Sequence, residues 1–422
     1  MAKTHRLHIP PALKHRRFAL YWAGILISNA GSQMQVWAIF WHLRELSSDP
    51  IVVSGIGFAK FIPILIFALI GGLVADTFNR RKVAIVTQFA LMLIALALGT
   101  LTNFGLIDLW QIYLLVAVQA IAVSFDSPAR QSLIPSLVPR DELPSAFSLN
   151  SIAADIGAVI GPALTGLFIA TVGLKWIYWI NAVSFLAVIL ALFLMGPVPQ
   201  VKSLDPCKNQ LAPHHLDFSA IPEGIRFILK SPIILSSMLL DFFATFFSSA
   251  NTLLPFVVQD VLHAGAIQYG WLSAAQSIGS VTVALIMAEA SHINKQGKLL
   301  IAGVTAFGAA TILFGISRSF TLTMIALIIV GAGDAVSTVL RSTIRQLQTP
   351  DEMRGRMVSI NQIFFAGGPQ LGEVEAGAVA SAFGTPFAII TGGIGCIVAV
   401  AAVALKWPAL RKYTGDEAVK AG

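Results

Sequence analysis

Apolar residues run along this chain in stretches of about twenty or more, the length that carries a helix across the hydrocarbon core of a bilayer. Short polar and charged stretches separate them. The pattern predicts twelve spanning helices, at roughly 18–43, 51–75, 83–103, 109–135, 143–172, 175–196, 232–260, 266–290, 299–317, 321–347, 357–383 and 385–407. Runs longer than about 25 residues point to tilted or kinked helices. The apolar–polar alternation of transmembrane β-strands is absent, so the predicted class is an all-α membrane protein. The first 17 residues are basic and polar, without the apolar core and small-residue cleavage site of a signal peptide.

Composition agrees with the pattern. The 422 residues are 56% hydrophobic and 12% charged, with a mean hydropathy of +0.78, whereas soluble chains carry about 25% charged residues. This excludes a disordered chain and a string of soluble domains. With two cysteines, Cys207 in a polar stretch and Cys396 in an apolar one, no disulfide framework is expected.

Charge then orients the helices. With the N-terminus inside, 24 of the 28 Lys and Arg fall on the cytoplasmic side and three, Arg44, Lys175 and Arg318, outside. Lys60 lies within a helix. Both termini are therefore expected in the cytoplasm, and the formal net charge of +7 is a product of topology. The basic residues are spread over many short segments, which argues against a nucleic-acid partner.

The second half partly repeats the first. Asp141-Glu142-Leu143 recurs as Asp351-Glu352-Met353, Ser148-Leu149-Asn150 as Ser359-Ile360-Asn361, and Gly161-Pro162 as Gly368-Pro369, while Asp126 has a counterpart in Asp334. Between the halves runs a polar, proline-rich linker. The expected organisation is an N-terminal six-helix bundle (1–196), a cytoplasmic linker (197–231) whose end, 218–230, suits a short amphipathic helix, a C-terminal six-helix bundle (232–407) and a tail (408–422). Inverted or parallel repeats of this kind place a binding site near the bilayer midplane and suit alternating access.

Several motifs carry chemistry. Gly72-Leu-Val-Ala-Asp76-Thr-Phe-Asn79-Arg80-Arg81-Lys82 follows the second predicted segment and resembles the signature loop of the major facilitator superfamily. That loop normally has a basic residue at Thr77 and a glycine at Asn79. Asn tolerates a left-handed turn better than most residues, so the turn is expected to survive. A second copy around Ala288–Lys298 is eroded, and its His292 reads as a solvated loop residue. In the fifth segment Gly157, Gly161, Pro162 and Gly166 resemble the antiporter motif of the same superfamily, with Thr165 replacing a glycine. Small residues let helices approach closely, and proline permits a bend. Phe125-Asp126-Ser-Pro128-Ala-Arg130-Gln131, Pro139–Leu143 and Gly372-Glu373-Val-Glu375-Ala-Gly377 resemble the branch that holds the enterobactin exporter and macrolide-efflux proteins. The resemblance implies the major facilitator fold, two pseudo-symmetric six-helix bundles, and export of a small amphipathic molecule such as a siderophore or drug. It further implies a gating network of Gly72, Asp76, Arg80, Arg81, Asp126, Arg130, Gly157, Gly161 and Pro162. Asp126 and Arg130, four apart, share one helix face.

Ionisable groups inside the predicted helices cost about 2.5–3.5 kcal/mol each at the bilayer centre. Lys60, Asp155, Asp241, Glu373 and Glu375 are therefore expected in the bundle interior. Any of these acids is a possible partner of Lys60 and a possible proton carrier. Asn29 and Gln33, and Asp241, Thr245, Ser248 and Thr252, form polar stripes expected to face a water-filled path. The chain has no phosphate-cradling Gly-x-x-x-x-Gly-Lys-Ser/Thr loop, no zinc-ligand spacing and no nucleophile–base pair. The expectation is thus a monomeric, proton-coupled secondary exporter of the cytoplasmic (inner) membrane. Its partners are a small-molecule substrate, protons and the lipid bilayer, without cofactor or metal, and it is not an enzyme. A uniporter, an importer or a non-transporting membrane sensor stay open as alternatives.

Overall fold

The computed structural model describes residues 10–197, 226–289, 293–350 and 354–415. The linker up to 225, His292, the repeat at 351–353 and the side chain of Asp76 lie outside the described residues. Among those described there is no strand, and twelve helices of 17 to 31 residues follow one another. They are α1 (Arg16–Leu46), α2 (Ile56–Thr77), α3 (Arg80–Asn103), α4 (Leu109–Leu133), α5 (Leu143–Thr171), α6 (Leu174–Leu194), α7 (Pro232–Ser248), α8 (Ala266–Glu289), α9 (Gln296–Ile316), α10 (Phe320–Gln348), α11 (Arg354–Phe383) and α12 (Thr385–Lys406).

By length and composition ten of the helical stretches are able to cross a membrane, so the chain is a multi-pass membrane protein. The two outside that set are α1 and α11. Both give positions to polar groups: Ser28, Asn29, Ser32, Gln33 and Gln35 in α1, and Asn361, Gln370, Glu373 and Glu375 in α11.

Two expectations about continuity are corrected. The predicted segment 232–260 is broken: α7 ends at Ser248, Ser249 is extended (φ −79°, ψ 99°), and the chain resumes in short turns at Asn251–Leu253, Leu254–Phe256 and Val257–Val261. The break falls at Ser249 and Ala250, and Pro255 stands at the start of a new turn, where its missing N–H is tolerated. Thr252 therefore does not extend the stripe of α7. Likewise the predicted segment 51–75 begins as a separate turn, Pro50–Ser54, capped by the Asp49 side chain accepting from the Ile51 N–H at 3.2 Å.

The described residues fall into two compact units, one of 10–39 and 62–197, the other of 40–61 and everything from 226 onward. The hairpin joining α1 to α2 thus counts with the second unit. Inside the first, α3 packs on α4 and α6, and α1 lies along α5 and α6, where Gly24, Gly157 and Gly161 have no room for a side chain. Its core gathers Phe18, Tyr21, Ile25, Leu133, Ala146, Leu149, Val188 and Leu192. Inside the second, α9 packs on α10 and α12, and α7 on α11 and α12, around Leu240, Val304, Phe307, Leu340, Ile344 and Val400. The same neighbours recur at the same places in each half.

The turn at Asn79 is not left-handed. Its φ is −64° and ψ 109°, and its side chain accepts from the Lys82 N–H at 3.2 Å, making Asn79 the N-cap of α3. The left-handed residue lies in the eroded copy, where Lys295 has φ 58° ahead of α9. Nor is Gly72 a point of close approach, since an added Cβ there meets nothing within 4 Å. Gly71 is: a Cβ on it would collide with the Ser124 carbonyl oxygen of α4.

Thermal unfolding of purified variants checks these assignments. Gly71→Ala is expected to destabilise by about 1–3 kcal/mol through overpacking, and Gly72→Ala to stabilise by about 0.5–1 kcal/mol as an ordinary helix substitution. Asn79→Ala is expected to cost about 1 kcal/mol, and Asn79→Gly only a few tenths.

Candidate functional site

Charge in the first unit converges on the C-terminal end of α4. Asp126 is 1% exposed, and its Oδ2 lies 2.7 Å from Arg130 Nε one turn on. Its Oδ1 accepts from Thr87 Oγ1 at 2.8 Å and Gln88 Nε2 at 2.9 Å, both on α3. Tyr21 of α1 donates to the Arg130 carbonyl at 3.4 Å. The expected Asp126–Arg130 pair is thus present and is anchored to α1 and α3 as well. Beside it the loop arginines tie helix ends together. Arg80 donates to the Ser132 carbonyl at 2.9 Å and Arg81 to the Leu192 carbonyl at 2.7 Å, each satisfying a carbonyl that a helix C-terminus leaves open.

The glycines of α5 meet α1 directly. A Cβ on Gly157 would lie 2.9 Å from Asn29 Cβ, and one on Gly161 2.6 Å from Gln33 Cβ. Asn29 and Gln33, both half-buried, therefore wall this seam. Thr165, where the motif has glycine, donates to the carbonyls of Met34 at 3.1 Å and Gly161 at 2.9 Å, so its hydroxyl binds across the seam. Pro162 sits inside α5 without interrupting it. Asp155 is exposed on α5, on one face with the exposed Ser148 and Ser151.

A neighbouring polar chain was not foreseen. Asn181 of α6 donates to Gln35 Oε1 at 2.8 Å, Gln35 donates to Gln119 Oε1 at 3.0 Å, and Ser184 donates to Asn181 Oδ1 at 2.9 Å. Gln35 and Asn181 are buried to 1% and 0% exposure. The signal was available, since amides inside predicted spans pair across helices, but nothing in the sequence says which.

In the second unit Asp241 of α7 is 1% exposed and faces two arginines of α10. Arg341 Nη1 lies 2.6 Å from its Oδ1 and Arg345 Nη1 3.6 Å from its Oδ2. Arg341 itself is 2% exposed, donates to Thr338 Oγ1 at 3.0 Å and stands 4.0 Å from Asp334. Both arginines are buried, at 2% and 6% exposure. Arg341 lies as far beyond Arg130 in sequence as Ser359 lies beyond Ser148, so α4 and α10 carry arginines at equivalent positions, half-buried in the first unit and buried in the second.

The glycine seam also recurs. Gly368 of α11 abuts Thr245 Oγ1 and the Phe242 carbonyl of α7, and Gly372 abuts the Phe246 carbonyl. Here the walls are aromatic: Phe242 stacks on Phe246 and stands edge-on to Phe364, with centroids 5.9 and 6.0 Å apart. The Thr245 hydroxyl donates to the Asp241 carbonyl of its own helix at 2.8 Å.

Lys60 lies with its ammonium 4.7 Å from the Phe40 ring centroid, and its charge acts on the Glu373 carboxylate. Glu373 is 5% exposed and Glu375 half-buried. Nearby, the hairpin of residues 40–61 is fastened by Arg44 to Asp260 at 2.9 Å, by Ser54 to Thr252 at 2.8 Å, and by Asp49 to Ser381. Among the described residues no cluster of three or more His, Cys, Asp or Glu has the spacing to hold a metal ion.

Comparison with known proteins adds a family. The profile of a family described as transmembrane secretion effector matches residues 10–419. The enterobactin exporter EntS of Escherichia coli O81 (strain ED1a) is 31% identical over 294 residues, which is 68% of this chain and 67% of the relative. Its counterpart in Escherichia coli O1:K1 / APEC is 30% identical over the same span. Among solved structures, a bacterial homolog of the human lysosomal transporter Spinster, in an inward-facing and occupied conformation, matches with a TM-score of 0.71 at 14% identity, covering 94% of this chain and 98% of that one. A D-xylose-proton symporter matches with 0.69 at 14% identity, covering 96% and 98%. These two establish the fold, that of the major facilitator transporters.

Removing one partner from a buried pair leaves an uncompensated charge, at about 3–5 kcal/mol. Asp241→Asn, which strands two arginines, is expected to lose that much in thermal or denaturant unfolding. Arg345→Gln, which leaves the 2.6 Å Asp241–Arg341 contact in place, is expected to lose less.

Proposed function

The chain belongs to the transmembrane secretion effector family of major facilitator transporters, and from that premise we propose that it exports a small amphipathic molecule, a siderophore or a drug, in exchange for protons. The observation that carries the direction is its 30% identity with the enterobactin exporter over 294 residues. The α1–α5 seam, with Gly157 and Gly161 against Asn29 and Gln33, is where the antiporter-like motif lies in this chain.

In this reading the helices move between states open to one side of the membrane and to the other. Asn29, Gln33, Thr245 and the exposed face of α5 around Asp155 border the substrate path. Asp126–Arg130, Asp241–Arg341 and the arginines Arg80 and Arg81 hold helix ends during the change, and Gly72, Asp76 and Pro162 complete the gating set. The energy comes from the proton gradient, with Asp155, Glu373 and Glu375 the acids whose carboxylates are free of an arginine. The termini and the linker face the cytoplasm, the chain sits in the inner membrane, and it acts as a monomer.

Everted membrane vesicles carrying the protein test this. With enterobactin or an amphipathic dye outside, an imposed pH gradient, acid inside, is expected to drive accumulation. Nigericin, which dissipates the gradient, is expected to return it to the level of vesicles without the protein. Accumulation untouched by nigericin rejects proton coupling, and flux only in the opposite sense rejects export.

A further inference from the structure

α11 buries three side-chain acceptors without a hydrogen-bond partner, Asn361 Oδ1, Gln370 Oε1 and Glu373 Oε2, and only the last two are one helical turn apart. Glu373 is 5% exposed, and its Oε2 is sealed from solvent without a hydrogen-bond partner. Gln370 has its Oε1 in the same condition. Residues three apart on a helix are surface neighbours, so the two side chains leave α11 on one face. Buried acceptors are ordinarily satisfied, and each exception calls for an explanation.

The charges around this patch are few. Lys60 acts on Glu373 without ion-pair contact, its ammonium resting over Phe40. α7, packed along α11, brings Asp241, already occupied by Arg341 and Arg345. The turn at Pro50–Ser54 brings Asp49, which engages Ser381, and the turn at Asn251–Leu253 brings no charge. α12 brings only Lys406, in its last turn. The end of α1 brings His42, Arg44, which pairs with Asp260, and Glu45, which accepts from Trp41. α11 itself adds the half-buried Glu375.

We infer that Glu373 Oε2 is the proton-binding atom of this transporter, that Gln370 Oε1 is the acceptor the bound proton reaches, and that Lys60 is the counter-charge of the unprotonated state. The inference rests on the proton-coupled reading and gives that reading its site. With the carboxylate ionised, Lys60 is compensated across the patch and both oxygens lack a donor. A proton taken from water converts Oε2 into a hydroxyl that donates to Gln370 Oε1, and one proton thereby meets both needs. The same proton returns to water on the other side of the membrane, and the carboxylate again answers Lys60. Asp241 is excluded from this role because two guanidinium groups already hold it.

Infrared difference spectra of the purified full-length protein, recorded between acidic and alkaline pH, read the site without any substrate. The wild type is expected to show the carbonyl stretch of a protonated carboxylic acid that vanishes as pH rises. Glu373→Gln is expected to lose that band, Glu373→Asp to keep it at a shifted position, and Gln370→Leu to move it to higher frequency as its hydrogen bond is lost. Size-exclusion profile and melting temperature establish that each variant is folded. A titrating acid band unchanged in Glu373→Gln overturns the inference, and so does a folded wild type without such a band. Efflux indifferent to the pH gradient alongside the expected spectra would count against coupled export alone.

Discussion

The contact between Asp241 and Arg341, 2.6 Å long between side chains 1% and 2% exposed, shows what the membrane requires of this chain. An ionised group in hydrocarbon is tolerated when it meets an opposite charge and its remaining polar atoms find partners. The second unit meets the charge across two helices, joining α7 to α10, with Arg345 and Thr338 beside the pair, although Arg341 Nε stays without a hydrogen-bond partner. The first unit meets it within one helix, from Asp126 to Arg130, and recruits α3 and α1 through Thr87, Gln88 and Tyr21. In both cases the charge network is also a set of interhelical ties, so the helices it joins move together or pay for separation.

Small residues perform the complementary task. Where α5 crosses α1, and where α11 crosses α7, glycine brings one backbone against the other at Gly157, Gly161, Gly368 and Gly372. The geometry has outlasted the sequence around it: the α1 wall is amide, Asn29 and Gln33, while the α7 wall is aromatic, Phe242 and Phe246. Dispersion and close contact fix the crossing, and the wall residues are left to differ.

How much of this the sequence shows follows from the range of each interaction. Helix length is a local property of apolar composition, so the spans were legible to within a few residues, except where α7 breaks at Ser249 and where Pro50–Ser54 forms a turn apart from α2. The Asp126–Arg130 pair was legible because both ends lie on one helix turn. The partners of Asp241 were not, because Arg341 and Arg345 lie about a hundred residues away and by position alone look like anchors on the cytoplasmic side. Likewise Gly71 and Gly72 are adjacent and identical in type. Which of them faces the Ser124 carbonyl depends on the rotation of α2, and that is set by packing.

The two helices that fall outside the apolar set, α1 and α11, explain each other's composition. A membrane helix gives up hydropathy only where its polar groups have another environment than lipid. α1 places Gln35 in a hydrogen-bonded chain with Gln119 and Asn181, and there each amide gains a partner. α11 places Glu373 and Gln370 where their oxygens gain none. Polar residues of the first kind favour a single arrangement, because the hydrogen bonds between them form only in it. Those of the second kind are matched only after something arrives, and a transporter needs a site of that kind if an ion is to change its energy on binding. The contrast between a satisfied amide chain in one unit and an unsatisfied acid–amide pair in the other therefore separates scaffold from working group on physical grounds, where composition alone treats the two helices alike.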